Sequence, residues 1–196
     1  MPRHREPPRL TGPRVSLTLA GPAEAAALAA FHDREWDHLD PWLPPRGPAW
    51  RTEAHWRRWS EETVDLFLTD RAVRMALRLT GQPAAGVIGQ LNFNMLVRGS
   101  FQAATLGYHL GAAHQGQGLM REALELAIAY AFGPLELHRL MANHLPENAR
   151  SAALLQRLGF EREGCAKAYL FIGGAWRDHV LTALTNPNPV DLQPAG

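Results

Sequence analysis

The fold of this chain turns on residues 106–120, LGYHLGAAHQGQGLM. The run alternates apolar and small or polar residues up to Leu110, then passes through Gln115, Gly116, Gln117 and Gly118. Leu119, Ala123, Leu124, Ala127, Ile128 and Ala131 follow at helical spacing. Alternation predicts a strand over 101–110, and the later recurrence predicts an amphipathic helix over 118–132. A glycine loop between a strand and a helix start offers bare backbone N–H groups at the positive end of the helix dipole. Such a site binds phosphate without a lysine. The competing reading of the same spacing is a plain tight loop whose glycines serve only the turn. A Walker loop is excluded because GxxxxGK is missing. A dinucleotide fingerprint fails because Arg121 stands where its third glycine belongs.

Outward from this stretch, RVSLTLA predicts a short strand and GPAEAAALAAFHDREW a helix with proline near its first turn. DPWLPPRGP is too rich in proline for regular structure, and RTEAHWRRWSEETVDLFL predicts a helix capped by Thr52. Val73, Met75, Leu77 and Leu79 alternate as in a half-buried strand, and a further strand is expected over 86–97. LHRLMANH predicts a strand over 137–144. Asn148 opens a helix that reaches Leu158 and stops at Gly159. AYLFI and AWRDHVLTAL around two glycines predict a hairpin. The sum is a mixed sheet with helices on its faces. Residues 1–13 read as a flexible N-terminal arm, 14–185 as one domain and 186–196 as a C-terminal tail, the ends being proline-bearing.

Composition narrows the classes. With 46% hydrophobic and 20% charged residues the chain is ordinary globular protein, and a formal charge of +1 gives no global attraction to nucleic acid. One cysteine, Cys165, forms no intrachain disulfide and no thiolate cluster. No run approaches the roughly 18 apolar residues of a membrane span, so a soluble, cytoplasmic protein is expected. His138 and His144 share a strand face but lack a third ligand, so no metal site is expected.

QGQGLM resembles the acyl-CoA pyrophosphate loop of the GNAT N-acetyltransferases, whose pattern is Gln or Arg, two residues, Gly, one residue, then Gly or Ala. Gln115 and Gly118 match, whereas Met120 departs at the last place. LGYHLGAAHQGQGLMREAL, LHRLMANHLPENARSAALLQRLGFEREG and GGAWRDHVLTAL are similar to the Rim branch, the ribosomal-protein-alanine N-acetyltransferases. The likeness covers Leu106 to Leu184. It implies an α+β GNAT fold, with a mostly antiparallel twisted sheet, a splayed parallel strand pair and flanking helices.

The resemblance also implies acetyl-CoA as the donor. Its pantetheine arm would lie along Tyr108, His109 and Leu110, and its pyrophosphate on Gln115, Gly116, Gln117, Gly118, Leu119 and Met120. Asn148 would bind cofactor amides and Ser151 would protonate the leaving thiolate, while both residue types also suit a helix start for capping alone. The family's glutamate base cannot be carried over, because Leu170 occupies its place, and the helix after Asn148 has no tyrosine. Tyr108 and His109, or a water chain, remain for proton transfer, and alternation lets at most one of the two side chains face the notch.

The implied acceptor is a protein N-terminal amine, that of a ribosomal-protein alanine, with possible ribosome contact. A small amine such as a polyamine, amino acid or antibiotic is the alternative, as is a ribosome-assembly or RNA-binding role with little catalysis. Trp36, Trp42, Trp50, Trp56 and Trp59 crowd one segment, either as packing or as the wall of an acceptor groove. Arg46, Arg51, Arg57 and Arg58 make it locally basic, either as a solvated face or as a contact surface. Oligomeric state is open.

Overall fold

The computed structural model describes residues 6–188. Alternation builds the middle of its sheet. β3 (Val73–Leu79), β4 (Gly89–Val97) and β5 (Ala103–Leu110) pair antiparallel, with Met75 opposite Leu91 and Leu91 opposite Tyr108. Val73, Met75, Leu77, Leu91, Phe93, Ala104 and Leu106 all point into one buried cluster. Side chains one place out of step, such as Ala76, belong to a second cluster on the opposite face. One sheet thus has two apolar faces, and each is covered by helices.

The sheet has eight strands in the order β1-β2-β3-β4-β5-β6-β8-β7. β1 (Arg9–Thr11), β2 (Val15–Leu19), β7 (Glu161–Ile172) and β8 (Ala175–Thr185) complete the antiparallel part. The sole parallel pair among the described residues is β5 with β6 (Arg139–Met141). α1 (Ala25–Arg34), the single-turn α2 (Trp36–Leu39) and α3 (Glu53–Leu68) supply one layer. α4 (Leu119–Phe132) packs its Leu119, Ala123, Leu124, Ala127 and Ala131 into the other, beside α5 (Ala149–Arg157). Thr52 caps α3 by accepting from His55 N–H at 3.3 Å.

Several boundaries differ from expectation. The helix read over 21–36 begins as a 3-10 turn at Pro22–Glu24, because the proline ring suits a first turn but blocks earlier bonding. The expected flexible arm is corrected from Arg9 onward, since β1 pairs with β2 and Leu10 packs on the core. Residues 1–5 of that arm lie outside the described residues, as do 189–196 of the expected tail. The start of the tail is anchored: buried Asn186 donates from Nδ2 to the Phe132 and Leu137 carbonyls at 3.3 and 3.2 Å. The hairpin strand begins at Glu161, earlier than the AYLFI run, and two bulges interrupt it.

The largest difference is in β6. A strand was expected over 137–144, yet only Arg139–Met141 pair with Ala103–Thr105. Beyond Met141 the chain leans toward β8, where Ala142 N–H reaches the Thr182 carbonyl at 2.9 Å and His144 bridges Val180. β5 continues to Leu110 paired with β4 on one edge only. A notch therefore opens between β5 and β6.

Candidate active site

Strand parity decides what β5 offers to the notch. Gly111 N–H donates to the Ile88 carbonyl at 2.9 Å, so odd-numbered backbone groups here face β4. The N–H and C=O of Tyr108 and Leu110 face the other way, into the gap that β6 has left. His109 is engaged with Gln90 across the β4 pairing and offers no backbone group to the notch.

Side chains obey the same alternation. Tyr108 points toward α5, and its hydroxyl lies 2.5 Å from Ser151 Oγ. Burial pushes the Tyr108 phenol up to about 12, with the serine bond working in the other direction, so it stays protonated at neutral pH. Ser151 sits in the first turn of α5, which Asn148 caps by accepting from Ser151 N–H at 3.0 Å. The cap is thus real, and it leaves the Asn148 amide Nδ2 as the group able to donate elsewhere.

His109 is corrected as a proton-transfer and donor-binding candidate. Its ring lies on the opposite face with Nε2 buried, stacked on Phe31 at 5.8 Å and edge-on to His32 at 5.2 Å. Burial above all, then the charges of neighbouring groups including Arg46, hold it neutral. A group one residue from the notch is a sheet thickness away from it.

After β5 a short 3-10 turn, Ala112–His114, leads to the glycine loop. Gly116 and Gly118 have φ of +74° and +75°, a left-handed conformation that side chains disfavour. A Cβ on Gly116 would meet nothing within 4 Å, so its need is conformational, not spatial. Among the described residues the N–H groups of Gly116, Gln117 and Gly118 donate to no protein acceptor, and those of Leu119 and Met120 begin α4. The side chains of Leu119 and Met120 are buried in the core, so the departure at Met120 leaves the backbone surface unchanged.

Gln115 has a different task from the expected one. Its N–H is spent on the Ala112 carbonyl at 3.2 Å. Its side chain braces three elements: Nε2 meets His38 Nε2 at 2.8 Å, Leu110 O lies at 3.4 Å, and Oε1 accepts from Arg150 of α5. Glu35 is a further brace, with Oε2 accepting from Ala112 N–H at 3.0 Å. Burial opposes its charge, but the Ala112 N–H and Arg34 outweigh that and hold its carboxyl below the usual range. Glu35 and His38 were missed in the sequence. Three apart at a helix end, they gave only the signal of one shared face.

The tryptophan segment is mostly packing. Trp56 is buried, stacks on His32 at 4.0 Å and donates from Nε1 to the Trp50 carbonyl at 2.7 Å. Arg46, read as part of a basic surface, is corrected: its side chain has no exposure and lies over Trp36 at 4.4 Å. Arg51 pairs with Asp33 at 2.6 Å and Arg57 with Glu53 at 2.5 Å. Trp42 stays exposed on a loop whose Leu43 carbonyl accepts from Gly173 N–H at 3.3 Å at the β7–β8 tip. That contact places the loop and the hairpin tip side by side.

A splayed parallel pair, a free-amide glycine loop at the start of α4 and a hydroxyl pair beside the splay define the acyl-CoA-dependent N-acetyltransferase class. The chain belongs to the GNAT family: the model described as Acetyltransferase (GNAT) domain matches residues 14–161. It is 42% identical over 180 residues to the [Ribosomal protein uS5]-alanine N-acetyltransferase of Escherichia coli, covering 92% of each chain. A solved ribosomal-protein-S5-alanine acetyltransferase from Vibrio fischeri superposes with a TM-score of 0.87 at 33% identity, over 92% of this chain and 98% of that one. Mycobacterium smegmatis RimJ, solved in complex with CoA-disulfide, gives 0.82 at 30% identity, over 91% and 86%.

Proposed function

We propose that this enzyme transfers acetyl from acetyl-CoA to the N-terminal amine of a protein, the alanine of a ribosomal protein. The observation that carries the reading is the 2.5 Å contact of Tyr108 and Ser151 beside the notch, on the same strand that leads through a short turn to the free amides of Gly116 to Gly118. An extended thioester arm with a diphosphate at one end fits that layout. The arm's amides pair with the notch-facing backbone of Tyr108 and with Leu110 N–H as an added strand does, the Leu110 carbonyl being held already by the Gln115 and His38 side chains. The diphosphate lies against the amides of Gly116 to Met120, where the left-handed glycines keep the backbone bare. Asn148 Nδ2 is free to donate to the arm.

In the reaction the amine nitrogen attacks the thioester carbonyl, a C–N bond forms, and the C–S bond breaks. Tyr108 O–H donates to Ser151 Oγ, which turns the serine proton toward the departing sulfur. The sulfur leaves as a thiol in place of a bare thiolate. A terminal amine has a pKa of about 7.7–8.0, against about 10.4 for lysine, so a useful neutral fraction exists near pH 7.5 without a strong internal base. Its proton passes to water, and water returns a proton to the Tyr108–Ser151 hydroxyl pair, so the pair ends the cycle as it began. This resolves the loss of His109 from the site.

Support for the acceptor comes from the two alanine-specific relatives, each matched over nine-tenths of this chain. Ribosomal proteins and acetyl-CoA meet in the cytoplasm, and none of the described helices is long and apolar enough to cross a membrane. The test is thiol release from acetyl-CoA with two peptides, one with a free N-terminal alanine and one blocked at its terminus with an internal lysine. Release with the first alone supports the reading. Release with the second, or with neither despite CoA binding, overturns it.

A further inference from the structure

The phosphate loop is held by a residue more than a hundred positions earlier in the chain. Arg14 ends the tight turn between β1 and β2, and its Nη1 donates to the Gln117 carbonyl at 2.9 Å. Glu122, in the first turn of α4, takes three donors from the same turn. Its Oε1 accepts from Arg14 N–H at 2.8 Å and Val15 N–H at 3.2 Å, and its Oε2 accepts from Arg14 Nε at 2.8 Å. Burial works against this charge, but the N–H groups of Arg14 and Val15 outweigh it and hold the carboxyl below its usual range.

The turn is built to admit that carboxylate. A Cβ at Gly12 would stand 2.7 Å from Glu122 Oε1 and 3.0 Å from Leu126 Cδ1, so a side chain there would push the carboxylate out of the turn. From the other side Thr80 fixes the turn, donating from Oγ1 to the Gly12 carbonyl at 3.0 Å and from N–H to the Arg14 carbonyl at 2.9 Å. Arg14 is therefore not a loose surface arginine, although half of its side chain is exposed.

Peptide geometry gives the contact its consequence. In a trans peptide the carbonyl of one residue and the N–H of the next point in opposite directions. With the Gln117 carbonyl held by Arg14, Gly118 N–H must face the other side. Glycines on both sides of Gln117 make rotation of this peptide easy. A rotated peptide would put a carbonyl oxygen where a donor is wanted and repel an anion. Arg14 Nη2 meanwhile stays near the loop, 3.5 Å from where a Cβ on Gly118 would stand. Pro13, Arg14, Gly118, Arg121, Glu122 and Glu125 together line an open hollow there.

We infer that Arg14, clasped by Glu122, is a positioning residue that locks the 117–118 peptide with its N–H toward the diphosphate and so sets affinity for the acyl donor. The inference rests on the acetyl-CoA reading of the loop given above. It predicts an effect confined to donors that carry the diphosphate.

The test compares acetyl-CoA with acetyl-pantetheine, which has the same thioester arm and no diphosphate, in the wild type, Arg14→Met, Arg14→Lys and Glu122→Gln. In Arg14→Met the KM for acetyl-CoA should rise about tenfold with kcat within about twofold, the loss expected for a charge-assisted hydrogen bond. The KM for acetyl-pantetheine should not move. Glu122→Gln should act in the same direction by about threefold, and Arg14→Lys should recover part of the loss. A general folding defect would impair both donors alike, which sets it apart. If Arg14→Met does not fold, Glu122→Gln carries the same readout. Variants that keep the wild-type preference for acetyl-CoA overturn the clasp alone. A wild type with no preference overturns the phosphate reading of the loop and the clasp with it.

Discussion

Tyr108 and His109 are sequence neighbours on one strand with opposite fates. Tyr108 turns to α5 and meets a hydroxyl, while His109 turns to α1 and packs against Phe31 and His32. The same split divides the molecule. The α4/α5 side of the sheet carries exposed backbone, glycines and short polar side chains. The α1/α3 side carries aromatic rings, neutral histidines and the buried Arg46 guanidinium. Chemistry needs reach and hydrogen-bonding groups that can still change partner, and only the first side has them. Imidazole pKa alone would have favoured the wrong residue.

The most severe way to break this contrast is Ser151→Ala. Roughly hundredfold loss of kcat is expected, with the KM for acetyl-CoA little changed, as for loss of a positioned proton donor. Steady-state kinetics with the alanine peptide would show it. His109→Gln is the counterpart, and it should leave the pH profile of kcat in place if the buried face is inert. An altered profile there would reverse the assignment.

Acid stability tests the aromatic side directly. Burial pushes His32 down to about 4, with the Gln90 hydrogen bond opposing and Arg46 and His55 reinforcing the shift. Its folded-state pKa lies below its unfolded value, so the unfolded chain binds the proton first as pH falls. Stability is complete above about 6.5 and declines between about 6.5 and about 4. The loss amounts to about 3 kcal/mol, and His109 shifts in the same direction. Urea melts at pH 7 and pH 5 should differ by about 2 kcal/mol of that, and His32→Gln should flatten the difference.

A smaller effect is expected at the loop. Gly118→Ala forces a side chain into a left-handed φ of +75°, costing about 1–2 kcal/mol of strain. The expected readout is a rise of up to about tenfold in the KM for acetyl-CoA, measured beside the unchanged KM for the peptide. The smallest effect belongs to the exposed i,i+4 pair of Arg57 with Glu53. Arg57→Ala should change stability by no more than about 0.5 kcal/mol in thermal melts and leave donor kinetics alone. A large loss of ribosome binding in that variant would instead make the segment a contact surface.

Much of this was legible beforehand because it is local. The Gly116–Gly118 loop, the Leu119 to Ala131 stripe of α4 and the Asn148 cap depend on neighbours a few residues away. Alternation also foretold that Tyr108 and His109 would part. It did not say which would face the notch, because strand period carries no label for the two faces. Arg46 misled because a guanidinium is usually solvated. Here Trp36 and Trp50 supply aromatic faces that few loops provide.

The sequence by itself determined the mixed α/β class, the strand-to-helix glycine loop and the serine at the start of α5, since periodicity, glycine spacing and capping all act over a turn or two of chain. Only the tertiary structure decided that β6 would leave β5 after Met141, that Ser151 would meet Tyr108, and that Arg14 would grip Gln117 from 103 positions away in the chain. Those outcomes depend on which surfaces can be buried together. Pairings between residues tens to a hundred positions apart leave no period in the sequence to read.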